Sequence, residues 1–200
     1  MFWKGERQPA ARLVAFDPDH AAVEVARRDP LQFEALYRKY VGQVYNFAVY
    51  ELGNHYAAED ITELVFLRAF AALPRFRESG ADPDTSSFRV WLFQIARNAL
   101  SNERRAARRH PDVPLDVISA MPTREDPAET VAQRDTLRRA WEAVSRLPDD
   151  RRRAIVLRFV EEMTPAEIGG ILGRSEGAVR VLIHRALRSV AGELRRDGPR

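Results

Sequence analysis

The chain has 200 residues, of which 45% are hydrophobic and 30% are charged, a composition typical of a soluble globular protein and not of a disordered one. It has 32 Lys and Arg against 29 Asp and Glu, so the distribution of charge along the chain is more informative than the sum. It has no Cys, which excludes disulfides, thiolate metal sites and cysteine nucleophiles.

The N-terminal part, residues 1–29, contains no uninterrupted apolar run long enough for a signal peptide. No later segment approaches the length of a membrane span. We therefore expect a cytoplasmic protein without direct membrane insertion, and we predict that residues 1–29 form a flexible extension.

Three amphipathic helices are predicted between residues 30 and 109. The first has apolar residues at three- and four-residue steps and ends at Gly53. The second covers residues 57–73 and has acidic side chains in its opening turns, where they complement the helix dipole. A loop rich in Gly, Pro, Asp and Ser follows, and the third helix then begins near Phe88.

An acidic, proline-rich segment, residues 110–129, interrupts the helical pattern. Such a composition suits an extended linker, so we place a domain boundary there. Helical periodicity returns over residues 130–194, with Asp149 as a predicted helix cap, and a tail of residues 195–200 ends the chain. Since no strand-like alternation of useful length occurs, the sequence predicts an all-α fold in two lobes.

The second lobe contains a sharp helical corner. Thr164 and Glu167 fit a capping box around Pro165, which predicts a helix start. Gly173 can take the left-handed conformation that ends this helix, and Ser175 can cap the next one. Two helices joined by so short a turn must cross steeply, as in a helix-turn-helix.

The last helix of this corner has a basic outer face. Its inward stripe leaves five residues on the other side: Arg180, Val181, His184, Arg185 and Arg188. Arg suits DNA because its planar fork binds phosphate or guanine at two points. The alternative is a plain helical hairpin with solvated arginines. The histidines are too scattered along the sequence to predict a metal site.

The third helix of the first lobe ends in a run of arginines that includes Arg97, Arg104 and Arg105. Charge runs on helices are most often solvated faces. This one belongs to a helix whose aromatic and amide side chains are predicted to be exposed, namely Phe93, Gln94, Asn98 and Asn102, and a loop carrying Phe76 precedes it. Aromatic and cationic groups together suit the stacking of single-stranded bases and the neutralisation of their backbone. Two basic sites joined by a flexible linker indicate a protein that binds one nucleic acid at two points.

Four segments, in this order and spacing, resemble the extracytoplasmic-function sigma factors of bacteria. They are "FEALYRKYVGQVYNFAVYELGN", "AAEDITELVFLRAFAALPRFR", "SSFRVWLFQIARNAL" and "LPDDRRRAIVLRFVEEMTPAEIGGILGRSEGAVRVLIHRAL". The resemblance implies that residues 30–109 are similar to sigma region 2, which contacts core RNA polymerase and melts the minus-ten promoter element. Residues 130–194 look like region 4, which reads the minus-thirty-five element.

The resemblance also implies roles for particular residues. The "AED" helix supplies the polymerase contact, which points to Glu59, Asp60 and Glu63. Phe76 and Asn98 fall where the family captures a flipped minus-ten base, and Arg97, Arg104 and Arg105 hold nearby backbone. In the second lobe, the family's groove-reading positions correspond to Arg180, Val181, His184 and Arg185. Arg188, on the same face of the helix, is also a predicted DNA contact.

The sequence departs from the family pattern in three places. Glu63-Leu64 stands where a Gln-Glu pair is common, and the loop between Phe76 and Phe88 is longer than usual. Val181-Leu182 replaces a small-polar and basic pair, which favours contact with thymine methyls over one phosphate contact.

The sequence thus predicts a sigma factor that binds core RNA polymerase and promoter DNA, opposed by an anti-sigma factor. We expect no catalysed reaction, no cofactor and no metal, because no nucleophile-base pair, phosphate-binding Gly loop or ligand cluster is present in the sequence. Two alternatives remain open: a stand-alone helix-turn-helix regulator, and a helical protein that mimics a sigma factor.

Overall fold

The computed structural model describes residues 17–78, 85–109 and 131–196, without the side chains of residues 106–109, 131, 132 and 134. These ranges are helical and contain no strand, which confirms the all-α prediction. The predicted linker, residues 110–129, and residues 1–16 and 197–200 lie outside the described residues.

The described part of the first lobe contains four α-helices: α1 (His20–Arg28), α2 (Phe33–Leu52), α3 (His55–Ala72) and α4 (Ser87–Arg109). The second consists of α5 (Val131–Ser145), α6 (Asp149–Phe159), α7 (Pro165–Leu172) and α8 (Glu176–Arg196). None of these helices is long and apolar enough to cross a membrane.

Helix α1 lies in the segment for which the sequence predicts a flexible extension, and that prediction does not hold for residues 20–28. Val23 and Ala26 are buried in the core of the first lobe. The buried Asp19 carboxylate, just before the helix, accepts hydrogen bonds from Lys39 Nζ at 2.5 Å and from the hydroxyl groups of Tyr40 and Ser86. These contacts fix α1 against α2 and the start of α4.

Local signals set the helix ends. Gly53 ends α2 in the left-handed conformation, with a φ of 65°, and the Asn54 side chain caps α3 by accepting from the Ala57 amide at 3.1 Å. Asp149 does not cap α6 as predicted, because it is the first helical residue and Pro148 precedes it. Its carboxylate instead binds Arg104 and Arg152.

The two lobes share one hydrophobic core. The larger cluster of buried side chains runs from Phe47 and Phe93 in the first lobe to Met163 and Ile168 in the second. A smaller cluster, under α5 and α8, contains Ala143, Val144, Leu147, Ile155, Ala186 and Val190. Helix α4 packs against α7, so the arginine-bearing helix of the first lobe faces the helical corner of the second.

Candidate nucleic-acid interface

The helical corner of the second lobe forms as its sequence predicts. Thr164 Oγ1 accepts from the Glu167 amide at 3.2 Å, and Glu167 Oε2 accepts from the Thr164 amide at 2.8 Å, which completes the capping box. Gly173 ends α7 with a φ of 67°, and Ser175 Oγ accepts from the Ala178 amide at 3.3 Å at the start of α8.

The turn needs a glycine at a second position, Gly169. A Cβ atom there would lie 2.7 Å from the backbone oxygen of Arg174, closer than real Cβ contacts. The Gly169 carbonyl accepts from the Arg174 amide at 2.9 Å, so the turn folds back directly over this residue. This close approach fixes where α8 begins relative to α7.

The five predicted recognition residues lie on the exposed side of α8. Val179, Ala186 and Val190 are buried beneath them. The exposed side chains are Arg180, Val181, His184, Arg185 and Arg188. Arg180 Nε donates to Glu176 Oε1 at 3.2 Å within the helix, an exposed pair of small energetic value. A DNA phosphate can therefore replace Glu176 as the partner of Arg180 at little cost in free energy.

A second cationic surface lies on α4, where it meets α6 and α7. A pocket of about 410 Å³ contains the predicted minus-ten residues Arg97, Asn98 and Arg105 together with Asp150 and Arg153 of α6. Arg97 Nη1 donates to the Ile171 carbonyl at 2.7 Å, while Asn98 and Arg105 are exposed. The first lobe thus brings these three residues together, and the second lobe borders them.

Phe76, the predicted base-capture residue, is 4% exposed in this structure. Its ring lies 5.9 Å from the Phe88 ring and 4.9 Å from the Trp91 ring, measured between ring centroids. In this conformation it packs against the first turns of α4. Phe93, predicted to be exposed, is likewise fully buried, 5.5 Å from the Phe47 ring. Both rings lie on the apolar stripe of the lobe.

A buried charge cluster at the junction of the lobes was not predicted from the sequence. The Glu51 side chain is completely buried and accepts from Arg104, Arg152 and Arg153 at 3.1–3.4 Å. Burial raises the pKa of Glu51, and the charges of Arg153 and Arg104 oppose this shift. The available signal was "DDRRRAIV", in which Arg152 and Arg153 directly precede the buried run of α6.

A second buried carboxylate, Glu161, lies near the other edge of the junction. It is 5% exposed, and its Oε1 atom has no hydrogen-bond partner among the described residues. Burial raises the pKa of Glu161 to about 8; the positive charge of Arg89 works against this shift, and Glu162 adds to it.

The predicted polymerase contact forms an exposed acidic edge on α3. Glu59, Asp60 and Glu63 are all exposed. Glu59 and Glu63 border a groove of about 720 Å³ between α2 and α3, whose apolar side chains include Tyr37 (43% exposed), Leu67 (59%) and Phe70 (45%). A contiguous apolar patch with a charged rim is typical of a protein-binding surface.

Known family models match a region in each lobe. Residues 36–110 match Sigma-70 region 2, and residues 137–190 match Sigma-70, region 4. The matched ranges contain the acidic edge of α3, the cations of α4 and the whole helical corner.

Two curated relatives are sigma factors. The ECF RNA polymerase sigma factor ShbA of Streptomyces griseus is 35% identical over 64% of this chain and 67% of its own length. The ECF RNA polymerase sigma factor BldN of Streptomyces coelicolor is 31% identical over 80% of this chain, which spans 59% of the BldN length.

A solved structure shows the same fold. The sigma factor RpoE, in complex with the anti-sigma factor NepR from Bartonella quintana, superimposes with a TM-score of 0.62 at 22% identity, covering 83% of this chain and 98% of RpoE. With two region matches in the expected order and a relative above 30% identity, the chain belongs to the extracytoplasmic-function family of RNA polymerase sigma factors.

Proposed function

We propose that this chain is the promoter-specificity subunit of RNA polymerase, which directs the core enzyme to particular promoters and promotes DNA melting. The observation that carries the proposal is the pairing of two cationic helical faces, on α4 and α8, with the two matched sigma regions. The chain itself catalyses no covalent step in this proposal and acts in the cytoplasm.

The second lobe, residues 130–194, is assigned to the minus-thirty-five element. Helix α8 enters the major groove with Arg180, Val181, His184, Arg185 and Arg188 toward the DNA, since all five are exposed on one side of the helix. The arginines bind phosphates or guanine edges, and Val181 offers an apolar contact to thymine methyls.

The first lobe, residues 30–109, is assigned to the minus-ten element and to the polymerase. Asn98 is the candidate for reading an extruded base, and Arg97, Arg104 and Arg105 are candidates for holding the strand beside it. Phe76 is the second candidate for base capture, and its ring, buried against Phe88 and Trp91, would have to turn outward to stack on a base. Glu59, Asp60 and Glu63, beside the apolar groove of α2 and α3, are the candidates for contact with core polymerase.

An anti-sigma factor is a further proposed partner. Support comes from the RpoE structure, which was solved as a complex with the anti-sigma factor NepR, and from the similarity of its fold to that of this chain.

The test is run-off transcription by bacterial core RNA polymerase on a library of genomic fragments, with and without this protein. We expect transcripts from a restricted set of promoters, and their absence from every fragment would refute the proposal. Replacing Arg180 and Arg185 with Ala should weaken promoter binding by the holoenzyme and lower the slope of log affinity against log salt by about one for each phosphate that is no longer neutralised. Arg196→Ala, about 16 Å beyond Arg185 along α8, is the matched control.

A further inference from the structure

Helix α1 holds the backbone of the base-capture candidate Phe76 through the side chain of Arg27. Arg27 Nη2 donates to the Phe76 carbonyl, and Arg27 Nε donates to the Leu73 carbonyl at 3.4 Å. The same guanidinium lies 5.7 Å from the centroid of the Phe76 ring, within the range of a cation–π contact. One planar group of α1 therefore contacts both the start and the end of the short turn that leads from Leu73 to Phe76.

The two hydrogen bonds reach main-chain oxygen atoms, so a rotation of the Phe76 side chain leaves them intact. Turning the ring outward costs its packing against Phe88 and Trp91. A nucleobase stacked on the ring offsets this loss only if the backbone of Phe76 stays in place. Arg77 Nη1 also donates to the Phe76 carbonyl, at 3.0 Å, but this bond is local to the turn, whereas Arg27 connects the turn to another helix.

The orientation of Arg27 is set within α1 itself. Glu24, one turn earlier, accepts from Arg27 Nη1 at 2.5 Å, and both side chains are partly buried. The carboxylate binds one nitrogen of the guanidinium and leaves Nε and Nη2 directed at the two carbonyls. This geometry requires Arg, because a Lys ammonium is a single point of charge and lacks the planar fork.

Helix α1 is also bonded on both sides of the segment that separates Phe76 from α4. His20 Nδ1 lies 2.9 Å from a carboxylate oxygen of Glu78, two residues after Phe76. On the other side, the buried Asp19 carboxylate accepts from the hydroxyl group of Ser86, directly before α4. The position of Phe76 relative to the start of α4 is therefore set through α1.

We propose that Arg27 is a positioning residue for base capture, which holds the backbone of Phe76 where the outward-turned ring meets the extruded minus-ten base. This inference rests on the proposed function, because it concerns the assignment of Phe76 to that base. It goes beyond the family match, which begins at residue 36 and does not include α1. Arg27 itself does not bind DNA in this proposal, because protein acceptors already bind all three of its guanidinium nitrogens.

The experiment separates base capture from binding of the DNA backbone by removing one base at a time. A promoter identified by run-off transcription supplies a labelled single-stranded oligonucleotide with the minus-ten sequence of the non-template strand. A matched set of oligonucleotides carries an abasic site at each position in turn. The affinity of the holoenzyme for each is measured by fluorescence anisotropy. For the wild type we expect one abasic site to weaken binding by about 5-fold or more, which identifies the captured base.

The variants are compared by the ratio of their affinities for the intact and the abasic strand. Phe76→Ala and Arg27→Ala should each weaken binding of the intact strand and bring this ratio close to one, because the base and both side chains act through the same contact. Arg27→Lys keeps the charge without the fork, so it should resemble Arg27→Ala. Arg28→Ala removes the same charge from an exposed neighbouring position and should keep the wild-type ratio.

The outcomes separate the two proposals. If wild-type protein gives no transcripts with core polymerase, the proposed function fails. If transcripts form but no abasic site weakens binding, or Phe76→Ala keeps the wild-type ratio, the positioning role is refuted while the function stands. The same conclusion follows if Arg27→Ala weakens binding of intact and abasic strands equally, since Arg27 would then contact the DNA backbone. Thermal melts of the free variants establish that they fold; if Arg27→Ala does not fold, Arg27→Lys decides the question.

Discussion

Glu161 lies in surroundings that are unfavourable for its charge. One carboxylate oxygen has no partner among the described residues, and burial raises the pKa of the group to about 8. In the unfolded chain the pKa returns to about 4.3. The folded state therefore holds a proton that the unfolded state releases, so this contribution to stability is present below about pH 4 and is lost as the pH rises through about 8.

Replacing Glu161 with Gln should remove this loss. The wild-type free energy of unfolding should fall between about pH 5 and pH 8, and that of Glu161→Gln should fall less, giving a gain of about 1–3 kcal/mol at pH 8 and almost none at pH 5. Thermal unfolding at both pH values measures the difference, at about 2–4 °C per kcal/mol. Glu162→Gln, at the exposed neighbouring position, removes only the smaller charge effect on Glu161 and should give a much smaller gain; an equal gain there would contradict the assignment.

The sequence predicts some residue positions better than others for a physical reason. Arg180 and Arg188 are exposed as expected, because a charged side chain opposite an apolar stripe has one favourable side. Phe76 and Phe93 are buried, against expectation, because an aromatic ring suits either a core or a stacking surface. The tertiary structure decides between the two, because Phe76 packs against Phe88 and Trp91, and Phe93 packs against Phe47.

Among the elements, the corner between α7 and α8 depends most on backbone geometry. Gly169 and Gly173 serve different needs there: Gly173 supplies the left-handed conformation, and Gly169 supplies the room for the Arg174 carbonyl. Since α8 presents its recognition residues from this corner, a shift of the turn displaces every DNA contact that follows it.

Gly169→Ala should therefore lower both stability and promoter binding. The added methyl would lie 2.7 Å from a backbone oxygen, which cannot rotate away as a side chain can, so we expect a loss of about 1–3 kcal/mol. Gly192→Ala, in α8 with open space around its Cβ, should gain about 0.5–1 kcal/mol from helix propensity. Thermal melts and holoenzyme binding to a promoter fragment test both; a Gly169→Ala protein as stable as Gly192→Ala would argue against the close approach.

Elements with local signals are predictable from the sequence, and contacts between distant segments are not. The capping box, Gly173 and the stripe of α8 all lie within a few residues of the features they specify. The buried charge cluster joins Glu51 to Arg152 and Arg153 across separations of 101 and 102 residues, for which no local pattern exists. Helix α1 escaped prediction because it is short and Asp19 binds distant hydroxyl groups instead of capping it.

For the molecule as a whole, charge is divided between surfaces. The arginines of α4 and α8 form the candidate DNA-binding faces, and the acids of α3 border the apolar groove of the first lobe. Opposite signs on separate faces favour a protein that binds DNA with one side and a basic protein surface with another.

Reversing a charge on the acidic edge should weaken binding to polymerase without unfolding the chain. Glu63 is exposed beside the groove, so Glu63→Lys should reduce affinity for core RNA polymerase by at least about tenfold through repulsion of a cationic partner. Surface plasmon resonance with immobilised core enzyme measures this affinity. Asp135→Lys, a similar reversal on α5, should leave the affinity unchanged, and equal binding by both variants would rule out the acidic edge as the contact.

The position of Asp19 matters to anyone who shortens this protein for study. The region 2 match begins at residue 36, which makes a cut at that point an obvious choice. Such a cut would remove the Asp19 carboxylate, which accepts hydrogen bonds from Tyr40 and Ser86. Tyr40 is only 2% exposed, so its hydroxyl would be a buried donor without an acceptor, and the fragment would lose about 1–3 kcal/mol of stability. A fragment intended to keep the first lobe intact should start no later than Asp17, so that it retains α1 and its contacts with α2 and the start of α4.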